Sequence, residues 1–216
     1  MLVMQKSLKY RQPIADARRI VIKIGSRVLV QKTGKPDLKR MHSLVNEIVE
    51  VINQKKEVII VTSGAIATGM EALKMKKRPE TLPELQMAAA VGQCRLMATY
   101  DKLFSQKGFI VAQILLTHSD FQHKIRLTNA RRTMETLLRN KVIPIINEND
   151  AVADEEIKAD LALGDNDLLA SLVVKLTRAD LLIMLTTVDG LMGCLLYTSD
   201  AADDLLCVDL GGRRII

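Results

Sequence analysis

Short apolar, β-branched runs alternate with amphipathic stretches from residue 19 to residue 186. The first run, Arg19-Ile-Val-Ile-Lys-Ile24, ends at Gly25-Ser26. From Asp37 to Lys55, Leu38, Met41, Leu44, Val45, Ile48 and Ile52 recur at three- and four-residue steps, which predicts a helix capped by Asp37. Val58-Ile-Ile-Val61 is a second strand, ended by Thr62-Ser63-Gly64. A helix-rich stretch follows, broken at Pro79 and Pro83 and resuming over Leu85–Gln106. Phe109–Leu116 reads as a strand, Thr128–Asn140 as a helix, and Val142–Ile146 as a buried strand ended by Asn147-Glu148-Asn149-Asp150. Pro144 within that run is awkward for a central strand. Asp165–Leu176 is helical, and Leu181–Leu185 is a last strand, followed by Thr186-Thr187-Val188-Asp189-Gly190.

Alternation of strands and helices predicts an α/β fold, a three-layer α/β/α sandwich with a mostly parallel central sheet and right-handed crossovers. The continuous apolar character of the strands suits a sheet covered on both faces. In such a sheet the C-terminal strand ends share one edge, where ligands bind. Here those ends are Gly25-Ser26, Ser63-Gly64, Asn147–Asp150 and Thr186–Gly190. Glycines there admit close backbone approach, and helix N-termini aimed at that edge favour phosphate or carboxylate. The pattern points to an enzyme for small anionic ligands.

Composition adds exclusions. Net charge is +6, but the basic residues are dispersed, and three Phe and three Tyr give no stacking platform for nucleic acid. No apolar run reaches the ~20 residues that span a bilayer, and no signal peptide precedes the first strand, so a cytoplasmic protein is expected. Cys94, Cys194 and Cys207 are too scattered for a disulfide framework or a zinc site, and Cys94 reads as a small core residue. His42, His118 and His123 lack metal-ligand spacing and read as surface residues. Neither a G-x-x-x-x-G-K-[ST] loop nor a G-x-G-x-x-G turn after a strand is present.

Five motifs occur in order: Val21-Ile-Lys-Ile-Gly-Ser26, Val61-Thr-Ser-Gly-Ala-Ile66, Ala89-Ala-Val-Gly-Gln93, Ile146-Asn-Glu-Asn-Asp-Ala-Val152 and Gly164-Asp-Asn-Asp167. Together with Leu115-Leu-Thr117, Asp120 and Asn129-Ala-Arg131, they resemble the amino-acid kinase family. Within that family, Asn147–Val152 resembles the glutamate 5-kinases. Singly, each motif has a plain structural reading: an edge-strand lysine, a turn, a capping loop, an inconsequential helix break at Gly92-Gln93, acids suited to a helix dipole.

The resemblance implies ATP-dependent phosphorylation of the L-glutamate side-chain carboxylate to glutamyl 5-phosphate, the first step of proline biosynthesis, with Mg²⁺ accompanying ATP. It implies Lys23 and Asp167 as catalytic residues, Lys23 offsetting charge on the transferring phosphoryl group and Asp167 ordering Lys23 or Mg²⁺. Ser63, Asp150 and Asn166 match glutamate-binding positions, with Asp150 accepting from the substrate ammonium. Lys23, Gly25, Gly64, Thr186 and Thr187 match phosphate- and nucleotide-binding positions. No protein-only metal site is expected. Family members form dimers or tetramers, and proline serves some as feedback inhibitor.

Three departures stand out. Ala159-Asp-Leu-Ala-Leu163 reads as an insertion, and Thr187 stands where the family has an acid. Resemblance stops near Leu191, and residues 192–216 look like translated sequencing-adaptor readthrough. The expected organisation is a basic arm over 1–18, a kinase domain over 19–191 incomplete on its nucleotide side, and a non-family tail over 192–216. Little or no turnover is expected of this chain as written. Alternatives are the kinase domain of a bifunctional pyrroline-5-carboxylate synthetase, an acetylglutamate or carbamate kinase, and a non-catalytic sensor of glutamate or proline.

Overall fold

The computed structural model describes residues 12, 14–31, 35–152 and 166–186. Most of the expected arm over 1–18, the insertion at 159–163, Thr187 and the tail over 192–216 lie outside the described residues. Five strands are described: β1 (Arg19–Ile24), β2 (Glu57–Val61), β3 (Ile110–Leu116), β4 (Val142–Glu148) and β5 (Leu181–Leu185). They form one sheet in the order β3-β4-β2-β1-β5, with every neighbouring pair parallel. The helices are α1 (Ser26–Leu29), α2 (Leu38–Asn53), α3 (Ala65–Ala72), α4 (Leu82–Ser105), α5 (Lys124–Arg139) and α6 (Asp167–Thr177).

Strand order decides which face each helix covers. The connections β1→β2 and β2→β3 travel one way along the sheet, whereas β3→β4 and β4→β5 travel the other. Right-handed crossovers therefore put α2 and α4 on one face and α5 and α6 on the opposite face. The two cores agree. Ile20, Ile22 and Ile24 of β1 pack with Met41, Val45 and Ile48 of α2 and Leu96, Tyr100 and Phe104 of α4. Val21 of the same strand packs with Met134 and Leu138 of α5 and Ala170 and Val173 of α6. Alternation along β1 thus sends Lys23, which shares parity with Val21, to the α6 side.

Several boundaries differ from the sequence reading. Pro83 lies in the first turn of α4 and does not interrupt it, since the first helical N–H groups need no intrahelical acceptor. The helix after β3 begins at Lys124, a turn earlier than expected. β4 continues through Asn147 and Glu148, so those residues belong to the strand. Asp37 does cap α2, its Oδ1 accepting from Arg40 N at 3.0 Å. Cys94 is exposed and is not a core residue, because it borders an open cavity beside α4.

Pro144 does occupy an interior strand. Ile146 turns its carbonyl toward β2, where it accepts from Thr62 N at 2.9 Å, and residues of like parity face the same way. The missing Pro144 donor therefore points at β2, and the β2–β4 register begins only at Ile145, one residue later. At the opposite sheet edge, the Arg19 guanidinium meets Glu57 Oε2 and Glu135 Oε1, both at 2.7 Å, tying β1 to β2 and α5.

Candidate active site

Outgoing connections diverge between the adjacent strands β2 and β4, which makes their C-terminal ends a topological switch point with an open crevice. Asn166, the residue that opens α6, spans this crevice. Its Nδ2 donates to Thr62 O at 2.5 Å, to Asn147 Oδ1 at 2.7 Å and to Ser63 Oγ at 3.2 Å. Ser63 and Asn166, distant in sequence, are therefore neighbours.

One strand further, Lys23 is 1% exposed. Its Nζ lies 2.6 Å from Asp167 Oδ1, at the first turn of α6. An ammonium in an apolar strand needs an anion to offset desolvation, and the carboxylate following Asn166 supplies it. The Asp167 side chain is 43% exposed while Oδ1 is buried against Lys23, so its outer edge faces solvent. Gly25 closes the other side: a Cβ there would stand 3.2 Å from Leu185 O and 3.6 Å from Lys23 Nζ. Gly64 has φ +94° as it caps α3, a conformation that disfavours any side chain.

Beside the crevice is a cavity of about 430 Å³ between α4, β3 and the end of β4. Gln93, Cys94, Gln113, Glu148, Asn149 and Asp150 are among its lining residues. Burial pushes the Asp150 carboxyl up to about 6, and neighbouring Glu148 adds to the shift while Arg78 opposes it. Glu148 is likewise raised by burial, with His118 acting against it. Two carboxylates on one wall favour a cation between them.

The residues of the expected site thus fall into three places. Lys23, Gly25 and Asp167 form one group; Ser63, Gly64 and Asn166 join it across the crevice; Asp150 lines the cavity. Thr186 is apart, exposed after β5, lining a second cavity of about 330 Å³ with Arg40 and Glu47 of α2. Among the described residues no three His, Cys, Asp or Glu side chains gather as a metal site.

Two residues were undervalued in the sequence. Asn147 is 2% exposed and central, accepting from Asn166 and Glu148 N and donating Nδ2 to Gln93 Oε1 at 2.8 Å. Gln93 belongs to the Ala89–Gln93 motif but has no assigned role in the sequence reading, and the helix break that is the plain alternative at Gly92-Gln93 does not occur, since α4 runs unbroken through both. Gly92 is there because α3 crosses against it: a Cβ would lie 1.8 Å from Ala65 O. The signal available was the pairing of a tiny residue with a polar one in a helix otherwise rich in Ala.

Comparison with known proteins matches the amino acid kinase family over residues 18–195. The chain belongs to the amino acid kinase family. This family member is similar to curated proteins named glutamate 5-kinase. The one from Moorella thermoacetica is 50% identical over 198 residues, covering 92% of this chain and 51% of its own length. The one from Clostridium acetobutylicum is 47% identical over 178 residues, covering 82% of this chain and 65% of its own. The one from Clostridium perfringens is 43% identical over 180 residues, covering 83% and 67%. Against the first of these relatives the chain spans about half the length. The parallel sheet with helices on both faces is the α/β sandwich expected of this kinase family. No helix among the described residues is long and apolar enough to cross a membrane.

Proposed function

We propose that the protein carries the acceptor side of an ATP-dependent kinase for the side-chain carboxylate of L-glutamate. The terminal phosphoryl group of ATP passes to a carboxylate oxygen, the bond to ADP breaks, and glutamyl 5-phosphate and ADP leave. The glutamate 5-kinase name of the relatives supports the substrate. One observation carries the chemistry: a nearly fully buried ammonium, Lys23, held 2.6 Å from Asp167 beside the crevice.

The acceptor carboxylate is already ionised at neutral pH, so the reaction needs no strong base. It needs charge compensation and alignment. Lys23 supplies a fixed positive charge where charge accumulates, in surroundings that strengthen it. Asp167 holds that ammonium in place. Gly25 keeps its approach clear of side chain. Asn166 Nδ2 serves three acceptors with two hydrogens, so its longest contact, to Ser63 Oγ, is the one a bound substrate exchanges most readily. Asp150, with Glu148 adjacent, receives the substrate ammonium.

Mg²⁺ would arrive with the nucleotide and neutralise phosphate charge. The donor set fits that mode: Asp167 turns an exposed edge outward, one carboxylate of the sort that shares Mg²⁺ with phosphates and water. Thr186 and Thr187 belong to the nucleotide side of the reading, and proline competes at the glutamate cavity in a feedback-sensitive variant.

Titration calorimetry of the 216-residue chain with L-glutamate tests the reading. Saturable binding that is lost in Asp150→Ala supports it. No binding of glutamate, or binding unchanged in that variant, overturns it. Glutamate-dependent ADP formation, measured on a polypeptide spanning the full length of the relatives, tests the transfer itself.

A further inference from the structure

The orientation of one buried amide is settled by its neighbours, and it leaves a donor facing the cavity. Asn166 Nδ2 and the Glu148 backbone N–H both point at Asn147 Oδ1, so Asn147 must present Nδ2 on its other side. That Nδ2 donates to Gln93 Oε1 at 2.8 Å. With its oxygen engaged, Gln93 turns Nε2 away from Asn147. Gln93 is 8% exposed, and its Nε2 is buried without a hydrogen-bond partner among the described residues. Leaving a buried donor unmade is costly, and such groups mark places where a ligand completes the bond. Gln93 lines the same cavity as Glu148 and Asp150.

We propose that Gln93 is a specificity-determining substrate contact whose Nε2 donates to the α-carboxylate of the amino acid bound in this cavity. The inference rests on the glutamate reading above. The α-ammonium and α-carboxylate hang on one carbon, so a ligand that places its ammonium at Asp150 and Glu148 brings its α-carboxylate to the same cavity. Its side-chain carboxylate is then the group left to reach Lys23. Gln113 and Asn149 also bring amides to this cavity, but the Gln93 Nε2 is the lining amide donor that is buried with no partner among the described residues, which makes it the one that gains most from an anionic oxygen. Asn147 and Asn166 act on Gln93 as positioning residues, since they determine which end of its amide faces the ligand.

Gln93→Glu tests this. The substitution keeps the oxygen that accepts from Asn147 and replaces the free donor with a second acceptor. Calorimetry is run on the native chain and the variant with L-glutamate and with its α-carboxamide, isoglutamine. The native chain should bind glutamate about thirty-fold more tightly than isoglutamine, the scale of a charge-assisted hydrogen bond. The variant should lose glutamate affinity by a similar factor and regain isoglutamine, whose amide N–H can donate to the new carboxylate. Native binding of both ligands within threefold overturns the proposal, and so does a folded variant that keeps the native preference. Should Gln93→Glu fail to fold, Gln93→Met, which removes the donor without adding a charge, takes its place: loss of the native preference supports the proposal and its retention overturns it. Failure of the native chain to bind either ligand instead sinks the glutamate reading on which this one rests.

Discussion

Lys23 and Asp167 form an ion pair of unequal partners: Lys23 is almost wholly buried, and Asp167 keeps 43% of its side chain exposed. Removing either member therefore has different consequences. Lys23→Met replaces the ammonium with an apolar group of similar length and returns Asp167 to water. Its stability should stay within about 1 kcal/mol of the parent or rise, because buried charges seldom stabilise relative to well-packed apolar groups. Asp167→Ala leaves the buried ammonium without its carboxylate and should cost about 1–3 kcal/mol. Urea unfolding of both variants measures this, and the opposite order would show Lys23 to be a structural residue. Phosphoryl transfer should vanish with Lys23→Met in any context that supports it.

Gly25 guards the same ammonium. Its backbone is extended, at φ −68° and ψ 153°, so alanine is conformationally allowed. The obstacle is space: the new methyl would press on Leu185 O at 3.2 Å and sit 3.6 Å from Lys23 Nζ. Gly25→Ala should lower stability by about 1 kcal/mol, in the range of mild overpacking. It should reduce turnover more than glutamate affinity, because Asp150 and Gln93 are untouched. Separate calorimetry and kinetics read the two effects, and equal losses in both would contradict this placement.

The layered fold was legible because two periodicities coincide with one topology. Ile20, Ile22 and Ile24 against Val21 already encode two covered faces, and Asp37 marks a helix start with its own side chain. Lys23 was legible only in part, since a lysine among isoleucines before glycine also reads as a solvent-facing edge-strand residue, and it is the order of the five motifs that sets it apart. The amide chain from Asn166 through Asn147 to Gln93 was not legible. Its members are 19 and 54 residues apart in sequence and meet only because β2 and β4 are neighbours at the switch point. Periodicity reports the face a residue takes, not the hydrogen bonds it finds across a crevice. Cys94 misled for a related reason: small thiols are usually buried, but α4 is long enough to turn one side to solvent.

Close contact between α3 and α4 rests on two glycines. A Cβ on Gly92 would come within 1.8 Å of Ala65 O, and one on Gly69 within 1.8 Å of Ala88 O. Both obstacles are backbone, so neither can swing aside. Alanine would normally favour a helix over glycine by about 1 kcal/mol, but here Gly92→Ala should destabilise by about 2–4 kcal/mol through forced separation of the helices. The displacement would also shift Gln93 and Ala65, which share the cavity. Thermal melting and glutamate calorimetry together check this. A raised melting temperature would mean the helices do not meet as described.

Asp150 links the site to pH through stability and binding with opposite signs. Its folded carboxyl titrates at about 6, against an ordinary value of 3.8, because burial and then Glu148 disfavour the charge. Above pH 6 both folded and unfolded states are ionised, and the folded state bears the full burial cost. As pH falls from 6 toward 3.8 the folded state takes up its proton first, so this group's contribution to stability improves over that window. Asp120, where burial pulls upward but the bonds to Thr117 and Arg126 together prevail and hold the carboxyl low, and Glu135, lowered first by Arg19, act oppositely and lose stability only at more acidic pH. Asp150→Asn should therefore raise stability by about 1–2 kcal/mol at pH 7.5 and leave it nearly unchanged near pH 4. Glutamate binding should behave in reverse: with the ammonium proposed to sit at an ionised Asp150, native affinity should fall as pH drops through 6, and the asparagine variant should bind about a hundred-fold more weakly at pH 7.5. Urea unfolding and calorimetry at pH 4.5, 6 and 7.5 separate the two effects. Loss of stability in Asp150→Asn at pH 7.5 would show that the carboxylate is already paired within the fold and is not held in reserve for a ligand.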